Sequence, residues 1–143
     1  MKQEKSDIKL KTVSEYDYLF LYELLSQRDT KVNISHKKMP TFQEHVKFVK
    51  SKPYEKWYII KNCQEKIGSI YLTKQNEVGI FLKKQNQKEG IGSSALILLI
   101  QSNPRSRYLA NVNPKNIKSI KFFEKHDFKL IQYTYELIIP KEK

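Results

Sequence analysis

Apolar side chains recur at every second position in several short stretches of this sequence, which is typical of β-strands. The first such stretch is Ile8–Val13. Three further strand signals follow one another closely, separated only by the short polar connections Asn62–Lys66 and Lys74–Asn76. This spacing predicts three strands of an antiparallel meander. Their predicted ranges are Trp57–Lys61, Ile67–Leu72 and Val78–Leu82.

Two further strands are predicted in the second half of the chain. Tyr108–Val112 is a short apolar run. Lys129–Ile139 is longer, and its apolar and aromatic residues again alternate with their neighbours. The alternating set is Ile131, Tyr133, Tyr135 and Leu137.

Two stretches before the meander have the spacing of amphipathic helices. The first begins after Ser14, which forms a capping-box-like pair with Asp17, and runs to about Gln27. The second begins at Pro40-Thr41 and ends before Pro53. The predicted apolar sides are Tyr16, Leu19, Phe20 and Leu24 in the first helix, and Phe42, His45, Val46 and Val49 in the second.

Two helices follow the meander. One opens at Gly90, carries the apolar run Ala95–Ile100 and stops at Asn103-Pro104. The other is predicted to take Asn113 as its N-cap with Pro114 at its first position. Its apolar stripe is Ile117, Ile120 and Phe123. The order β-α-α-β-β-β-α-β-α-β favours one mixed α/β (α+β) sheet with helices on both faces, in a single domain over residues 1–143.

Composition limits the environment of the protein. With 143 residues the chain has room for one domain. Cys63 is its only cysteine, so no intrachain disulfide can form, which suits a reducing compartment. The polar N-terminal residues lack a signal core, and Ala95–Ile100 is too short to span a bilayer. We therefore expect a soluble, cytoplasmic protein with no membrane partner.

The net charge of +12 favours anionic partners. The lysines are spread along the whole chain, however, so a purely compositional origin of the charge is as good an interpretation. Nucleic acid is thus a less favoured partner that stays open, and a homodimer also stays open. The spacing of His36, Cys63 and His126 does not match a metal site, so we expect no metal.

Two of the four glycines lie in the segment Gln87-Lys88-Glu89-Gly90-Ile91-Gly92, between a strand and a helix. Glycine lets backbone N–H groups approach a ligand closely, and the helix N-terminus adds positive partial charge. Together they predict an anion site suited to a pyrophosphate. A dinucleotide fold fits poorly, because no acidic residue lies about 20 residues further on. A P-loop is excluded because Gly-Lys-Ser/Thr is absent from the sequence.

Gly79 lies inside a predicted strand, where glycine indicates a bulge or a close ligand approach. A bulge would splay this strand from its parallel neighbour Tyr108–Val112. The backbone of Ile80–Leu82 would then be free to bind an extended, amide-bearing ligand.

The motif Gln87-x-x-Gly90-x-Gly92 resembles the Gln/Arg-x-x-Gly-x-Gly/Ala signature of the GNAT N-acetyltransferases. The segment from Asn116 to Phe128 resembles the second signature of that superfamily, in which an asparagine opens a helix that ends in an aromatic residue, a Glu-Lys pair and Gly-Phe. In style the chain is similar to amino-sugar and ribosomal-protein N-acetyltransferase-like members. The resemblance implies the GNAT fold, a mixed central sheet with splayed fourth and fifth strands and helices on both faces. It also implies acyl transfer from acetyl-coenzyme A.

The resemblance assigns roles to the cofactor loop and its neighbours. Backbone N–H groups from Lys88 to Ser93 would hold the pyrophosphate of coenzyme A, and Ile80–Leu82 would pair with its pantetheine arm. Asn116 would hydrogen-bond near the end of that arm, and Phe122 or Phe123 would wall the thioester channel. The cofactor-binding residues implied are Ile80, Phe81, Leu82, Gln87, Lys88, Glu89, Gly90, Ile91, Gly92, Ser93, Asn116, Phe122 and Phe123.

The sequence departs from the family at two positions. Phe123 stands where many members have a tyrosine proposed to protonate the leaving thiolate, and Asp127 replaces the glycine before the last Phe. A thiolate with a pKa near 8.5 leaves with little acid help, so transfer survives without the tyrosine. Glu77 is the predicted base, and Ser119, Tyr133 or Tyr135 could substitute for the acid.

The acceptor side depends on the segment from Arg28 to His45, which resembles the acceptor-binding region of the family. The residues predicted to bind the acceptor are Arg28, His45 and Tyr71. A small-molecule primary amine is expected, with a nucleotide-linked amino sugar preferred because positive charge suits a diphosphate. One alternative is acetylation of a protein or peptide N-terminus or lysine. A different class is a non-catalytic acyl-CoA- or RNA-binding module, which the basic run 83–88 supports weakly.

Overall fold

A four-stranded antiparallel sheet forms the centre of the computed structural model, which describes residues 7–28, 39–87 and 90–141. The strands are adjacent in chain order, β1-β2-β3-β4, as expected for a meander. The elements are β1 (Ile8–Thr12), a 3₁₀ turn (Glu15–Asp17), α1 (Tyr18–Ser26), α2 (Phe42–Lys50), β2 (Lys56–Asn62), β3 (Glu65–Leu72), β4 (Val78–Leu82), a second 3₁₀ turn (Lys84–Asn86), α3 (Ile91–Ser102) and α4 (Ile117–Lys125).

Helices cover both faces of this sheet. Successive strand residues point to opposite faces, and Ile59 and Ile60 of β2 show the division because both are fully buried. Ile59 packs with α1 and α2, whereas Ile60 joins the larger core formed with α3 and α4. The mixed α/β architecture predicted from the element order is therefore confirmed.

The predicted apolar side of α1 is half right. Leu24 is buried and Phe20 is half-buried as predicted, but Tyr16 and Leu19 are exposed and Leu21 is buried instead. The cause is the 3₁₀ turn at Glu15–Asp17, whose tighter winding shifts the face that the following α-helix presents.

Asp17 fixes the start of α1 to the sheet. Its side chain is fully buried and forms salt bridges with Lys11 at 2.7 Å and Lys66 at 2.6 Å. The backbone N–H of Ser14 donates to the same carboxylate at 2.8 Å. Burial by itself would raise the pKa of Asp17, but these hydrogen bonds and the lysine charges lower it to about 2.

The helix ends follow local sequence signals, with one correction. Thr41 caps α2 by a reciprocal pair with Glu44, as expected of a capping box. The N-cap of α4 is Asn116, whose side chain accepts from the Ser119 N–H at 3.2 Å. The prediction of Asn113 as the N-cap is wrong, because Asn113 forms a separate turn with Asn116 before the helix begins.

The strand predicted over Tyr108–Val112 pairs at one residue only. Glu77 and Leu109 form an isolated parallel bridge. The bulge predicted at Gly79 is wrong, since β3 and β4 pair in continuous register from Gly68–Leu82 to Leu72–Val78. The fourth strand and its parallel neighbour nevertheless diverge, without a bulge in β4.

The strand predicted over Lys129–Ile139 is also wrong as a member of this sheet. Residues 129–141 are exposed, and none of them is paired with a described strand. The apolar residues of this segment do alternate along the sequence, but the segment lies against no edge of the described sheet.

Across the ranges 7–28, 39–87 and 90–141, the helices are all too short or too polar to cross a bilayer.

Replacing Asp17 with Asn removes a buried charge and should lower the free energy of unfolding by about 2 kcal/mol at pH 7. The folded pKa lies below the unfolded value, so this stability is present above about pH 4 and is lost as pH falls towards about 2. Urea unfolding of the wild type and Asp17→Asn between about pH 7 and pH 2 measures the difference.

Asp7→Asn is the matched control, because Asp7 is exposed and lies 3.9 Å from the exposed Lys9. It should change the stability by less than about 0.5 kcal/mol. An Asp17→Asn effect that does not shrink at low pH would contradict the assignment.

Candidate functional site

A cleft opens between β4 and residues 109–112 because their pairing ends after one residue. Leu109 accepts from the Val78 N–H and donates to the Asn76 carbonyl, both at 2.7 Å. Beyond this point, no backbone hydrogen bond joins Ile80–Leu82 to residues 110–112 within the described chain. The edge of β4 that faces the cleft is therefore available to a ligand with amide groups.

Glu77 forms hydrogen bonds to both segments at the point where they diverge. One carboxylate oxygen accepts from the Thr73 hydroxyl at 3.1 Å, and the other accepts from the Asn111 side-chain amide at 2.8 Å. Glu77 thus joins the turn before β4 to the segment across the cleft. The predicted base also has a positioning role that the sequence did not indicate.

Gly79 is explained by an aromatic neighbour. A Cβ at this position would overlap the ring of Tyr71, which lies across it on β3. The Tyr71 ring stacks on Tyr54 with centroids 3.7 Å apart and an interplanar angle of 3°. The group that approaches Gly79 closely is therefore the Tyr71 side chain and not a ligand.

The N-terminus of α3 lies close to β4, since a Cβ on Gly92 in its first turn would be 3.7 Å from Ile80. Gly90 is its N-cap with φ +72°, a conformation that favours glycine, and a Cβ there would meet no atom within 4 Å among the described residues. The first-turn N–H groups of a helix are unpaired and attract anions. Gln87 closes the preceding turn by donating to the Leu82 carbonyl at 3.1 Å. Lys88 and Glu89 of the predicted loop lie outside the described residues.

Helix α4 packs against that first turn. A Cβ on Gly92 would lie 3.1 Å from Phe122 and 3.7 Å from Ile80, so glycine lets the two helices and β4 meet. Phe122 and Phe123 form an edge-to-face pair with centroids 5.1 Å apart. Phe123, at the family's tyrosine position, is buried in the core and offers no polar atom.

A polar contact that no sequence pattern indicated lies beside the loop. The Ser93 hydroxyl and His126 Nε2 lie 2.8 Å apart, linking the first turn of α3 to the C-cap of α4. The two residues are 33 positions apart, so no local signal could have paired them.

A cavity of about 170 Å³ lies on the other side of β4. The three predicted acceptor residues, Arg28, His45 and Tyr71, all line it. The aromatic part of its wall is formed by Phe48, Tyr54 and Trp57, which no local sequence pattern indicated, and by Phe81, which was predicted on the cofactor side. Since Ile80 lines this cavity and also lies next to Gly92, the cavity and the cleft meet at β4.

Arg28 is the charged group held inside this cavity. Its guanidinium lies 4.7 Å from the centroid of the Phe81 ring. Burial lowers the pKa of Arg28, and the nearby Tyr71 and Tyr54 partly oppose this shift. Within residues 7–28, 39–87 and 90–141, no carboxylate forms a salt bridge with Arg28. The Glu44 carboxylate, which also lines the cavity, accepts from the Thr41 N–H at 2.8 Å in the helix cap.

The two tyrosines that face Arg28 are neutral phenols. Burial raises the pKa of Tyr54, and the neighbouring Tyr71 raises it further. Burial also raises the pKa of Tyr71, although the Arg28 charge opposes it. His45 is buried beside Tyr22, with ring centroids 5.5 Å apart. The Arg28 cation thus lies in the cavity beside neutral phenol rings.

The remaining catalytic candidates lie apart from one another. Ser119 lies in the first turn of α4, where its N–H is held by Asn116. Tyr133 is 75% exposed on the segment 129–141, and Tyr135 is on the same exposed segment. Neither tyrosine is brought to the cleft by this chain's own fold. Among the described residues, no group of three His, Cys, Asp or Glu side chains could hold a metal ion.

Several solved structures with the same fold are named as acetyltransferases. An acetyltransferase from Thermus thermophilus is 19% identical, with a TM-score of 0.72 over 87% of this chain and 88% of that one. RimL, a ribosomal L7/L12 α-N-protein acetyltransferase in complex with coenzyme A, is 19% identical, with a TM-score of 0.70 over 87% and 81%. A domain from Methanocaldococcus jannaschii is 23% identical, with a TM-score of 0.77 over 92% and 94%. No protein-family model and no curated protein matches the sequence.

These likenesses confirm the fold that the two sequence signatures predict. The chain has the fold of the GNAT acetyltransferases over most of its length.

Proposed function

We propose that this protein is an acyl-CoA-dependent N-acetyltransferase that acts on a primary amine. The observation that carries the proposal is the edge of β4 at Ile80–Leu82, which no segment of the described chain pairs with on the cleft side and which lies near the N-terminus of α3. An extended ligand with amide groups at one end and a pyrophosphate at the other has the chemistry of this cleft. Acetyl-coenzyme A has both, and RimL, which shares the fold, is a coenzyme A complex.

The residues present fit coenzyme A. The open space next to Gly90 leaves room for a phosphate against the first-turn N–H groups. Ile80–Leu82 would pair with the pantetheine amides, and Phe122 would form the apolar wall beyond Gly92. When bound, acetyl-coenzyme A supplies a thioester whose acetyl group passes to the amine.

The amine must be neutral to attack, so a base must take its proton. Glu77 is our candidate, because its carboxylate lies at the divergence point and its charge acts on Tyr71 in the cavity wall. Backbone N–H groups of the unpaired β4 edge would polarise the thioester carbonyl. Phe123 can supply no proton, so the thiolate leaves without an acid at that position.

We further propose that the acceptor carries a negative charge close to its amine. Arg28 is a cation in an aromatic cavity, and an anion there would be bound in a low-dielectric environment. A carboxylate or phosphate of the acceptor is the natural counter-charge. Nucleotide-linked amino sugars meet this requirement, and so do amino acids and peptides with a nearby acidic group.

Binding of the pyrophosphate at Gly90 can be tested with two nearly isosteric substitutions. Both Asp and Asn tolerate the left-handed conformation, so Gly90→Asp and Gly90→Asn should fold alike. Gly90→Asp adds a negative charge facing the pyrophosphate and should weaken acetyl-CoA binding about tenfold or more relative to Gly90→Asn. Isothermal titration calorimetry measures both. Equal affinities would contradict the pyrophosphate site, and a wild type that does not bind acetyl-CoA would refute the cofactor.

Glu77→Gln tests the base. The substitution should lower kcat/KM about 100-fold, because the amide cannot accept the proton. Thiol release from acetyl-CoA with an active acceptor measures the rate. Asn111→Ala is the matched control, since it removes the hydrogen bond between Asn111 and Glu77 and keeps the Glu77 carboxylate. If Asn111→Ala causes an equal loss, Glu77 is a positioning residue only.

Arg28→Met tests the charge of the acceptor. Wild type should prefer an amine bearing a carboxylate over its neutral amide or ester counterpart, and Arg28→Met should lose this preference by about 10- to 100-fold in kcat/KM. The panel includes nucleotide-linked amino sugars and peptides. A preference for the neutral partners would overturn the proposal. Binding of acetyl-CoA with no transfer to any amine would instead favour a non-catalytic acyl-CoA-binding module.

A further inference from the structure

A serine and a histidine meet beside the first turn of α3. The Ser93 hydroxyl and His126 Nε2 lie 2.8 Å apart, and both residues are half-buried. Ser93 is the third residue of α3, and His126 is the C-cap of α4. Neither side chain takes part in the transfer of the acetyl group, so the contact has another role.

The Ser93 hydroxyl lies on the side of α3 from which the pyrophosphate would approach. Gly90, the N-cap, has no side chain that could accept from the first-turn N–H groups. The N–H groups of Ile91, Gly92 and Ser93 have no backbone acceptor in the described chain. Side chains on a helix lean towards its N-terminus. The Ser93 hydroxyl therefore lies beside these free N–H groups and can act with them on one anion.

His126 is held in place by the end of its own helix. Its N–H donates to the Phe123 carbonyl at 3.0 Å, and its ring packs on Phe122 with centroids 5.0 Å apart. The ring thus lies between the negative C-terminal end of α4 and the positive N-terminal end of α3. The end of α4 favours a proton on the ring, and the end of α3 opposes that proton until an anion is bound.

The described chain offers His126 no charged partner. Helix α3 has no charged residue over Ile91–Ser102, and β4 has none over Val78–Leu82. Within residues 7–28, 39–87 and 90–141, no carboxylate forms an ion pair with His126. Lys88 and Glu89 lie outside those ranges. The charged side chains nearest to His126 along the chain are all exposed, namely Lys121, Glu124, Lys125, Asp127 and Lys129.

The protonation of His126 determines where the Ser93 hydroxyl points. A hydroxyl has one proton to donate, and neutral histidine has a hydrogen on Nε2 in only one of its two tautomers. When Nε2 has no hydrogen, Ser93 donates to the ring and presents only lone pairs to a ligand. When the ring is protonated, Nε2 donates to Ser93 Oγ, so the hydroxyl proton is free for an anion.

We propose that Ser93 and His126 form a proton-dependent contact for the pyrophosphate of the acyl-CoA, an inference that rests on the cofactor assignment proposed above. Protonated His126 donates from Nε2 to Ser93 Oγ, and the Ser93 hydroxyl donates its own proton to a phosphate oxygen. His126 is a positioning residue that acts through Ser93. Because the charged ring favours the anion, the affinity for acyl-CoA rises as the pH falls through the range in which histidine titrates.

Isothermal titration calorimetry with acetyl-CoA between about pH 8 and about pH 5.5 tests this contact. His126→Gln is the matched variant, because its amide nitrogen still donates to Ser93 but does not titrate. The phosphomonoester of acetyl-CoA titrates at about pH 6 with both proteins, so the ratio of their affinities reports on His126 alone. The affinity of wild type relative to His126→Gln should rise about tenfold from the upper to the lower pH.

Proton uptake on binding is a readout that a purely structural contact would not change. Because the proton and the anion favour each other, binding to wild type at about pH 7 should take up more protons than binding to His126→Gln. The dependence of the binding heat on the ionisation enthalpy of the buffer measures this uptake. Ser93→Ala keeps His126 and removes the hydroxyl, so it should lose most of the gain in affinity at low pH.

The outcomes separate this contact from the cofactor assignment. A constant affinity ratio over the pH range, with equal proton uptake, would overturn the contact and leave acetyl-CoA binding intact. A Ser93→Ala variant that keeps the full gain would mean that His126 acts on the ligand directly, and the role of Ser93 would be refuted. A wild type that binds no acetyl-CoA at any pH would refute the cofactor itself. Circular dichroism of each variant confirms folding.

Discussion

Parallel pairing between β4 and the segment 108–112 extends over one residue, and the architecture of the site follows from where it stops. Leu109 is held by two backbone hydrogen bonds of 2.7 Å, and the Glu77 carboxylate reinforces the junction through Thr73 and Asn111. Past this junction both strands keep unpaired backbone groups. Unpaired edges attract other strands or ligands. The segment 108–112 has one edge that faces the cleft and a second edge that faces away from it.

The two sides of β4 then have different chemistry. Its cleft edge offers backbone groups and leads to the positive end of α3, which suits a polar, phosphate-bearing ligand. Its other side is walled by aromatic rings around Arg28. Gly79 and Gly92 bring these regions together, because side chains at either position would collide with Tyr71 or crowd Phe122. A donor and an acceptor bound on the two sides would meet near Ile80.

Buried charge is used differently in two parts of the molecule. Asp17 is enclosed by two lysines and a backbone N–H, so its charge is compensated within the protein and fixes the start of α1. Arg28 is desolvated against Phe81 with no carboxylate bonded to it in the described ranges. A compensated charge contributes to folding, whereas an uncompensated one in a cavity is suited to a ligand.

Local patterns in the sequence determined much of this protein. The meander, the start of α2 at Thr41 and the start of α3 at Gly90 depend on residues close together in the chain, so short-range spacing predicted them. The two signatures also led to the GNAT fold. Tertiary structure decided the rest. The phase of α1 depends on a 3₁₀ turn, the reason for Gly79 is a ring on the next strand, and the contact of Ser93 with His126 joins separate helices. The period-two pattern of residues 131–137 predicted a strand that is not formed, because a strand also needs a sheet edge to pair with and a pattern along one chain does not specify such an edge.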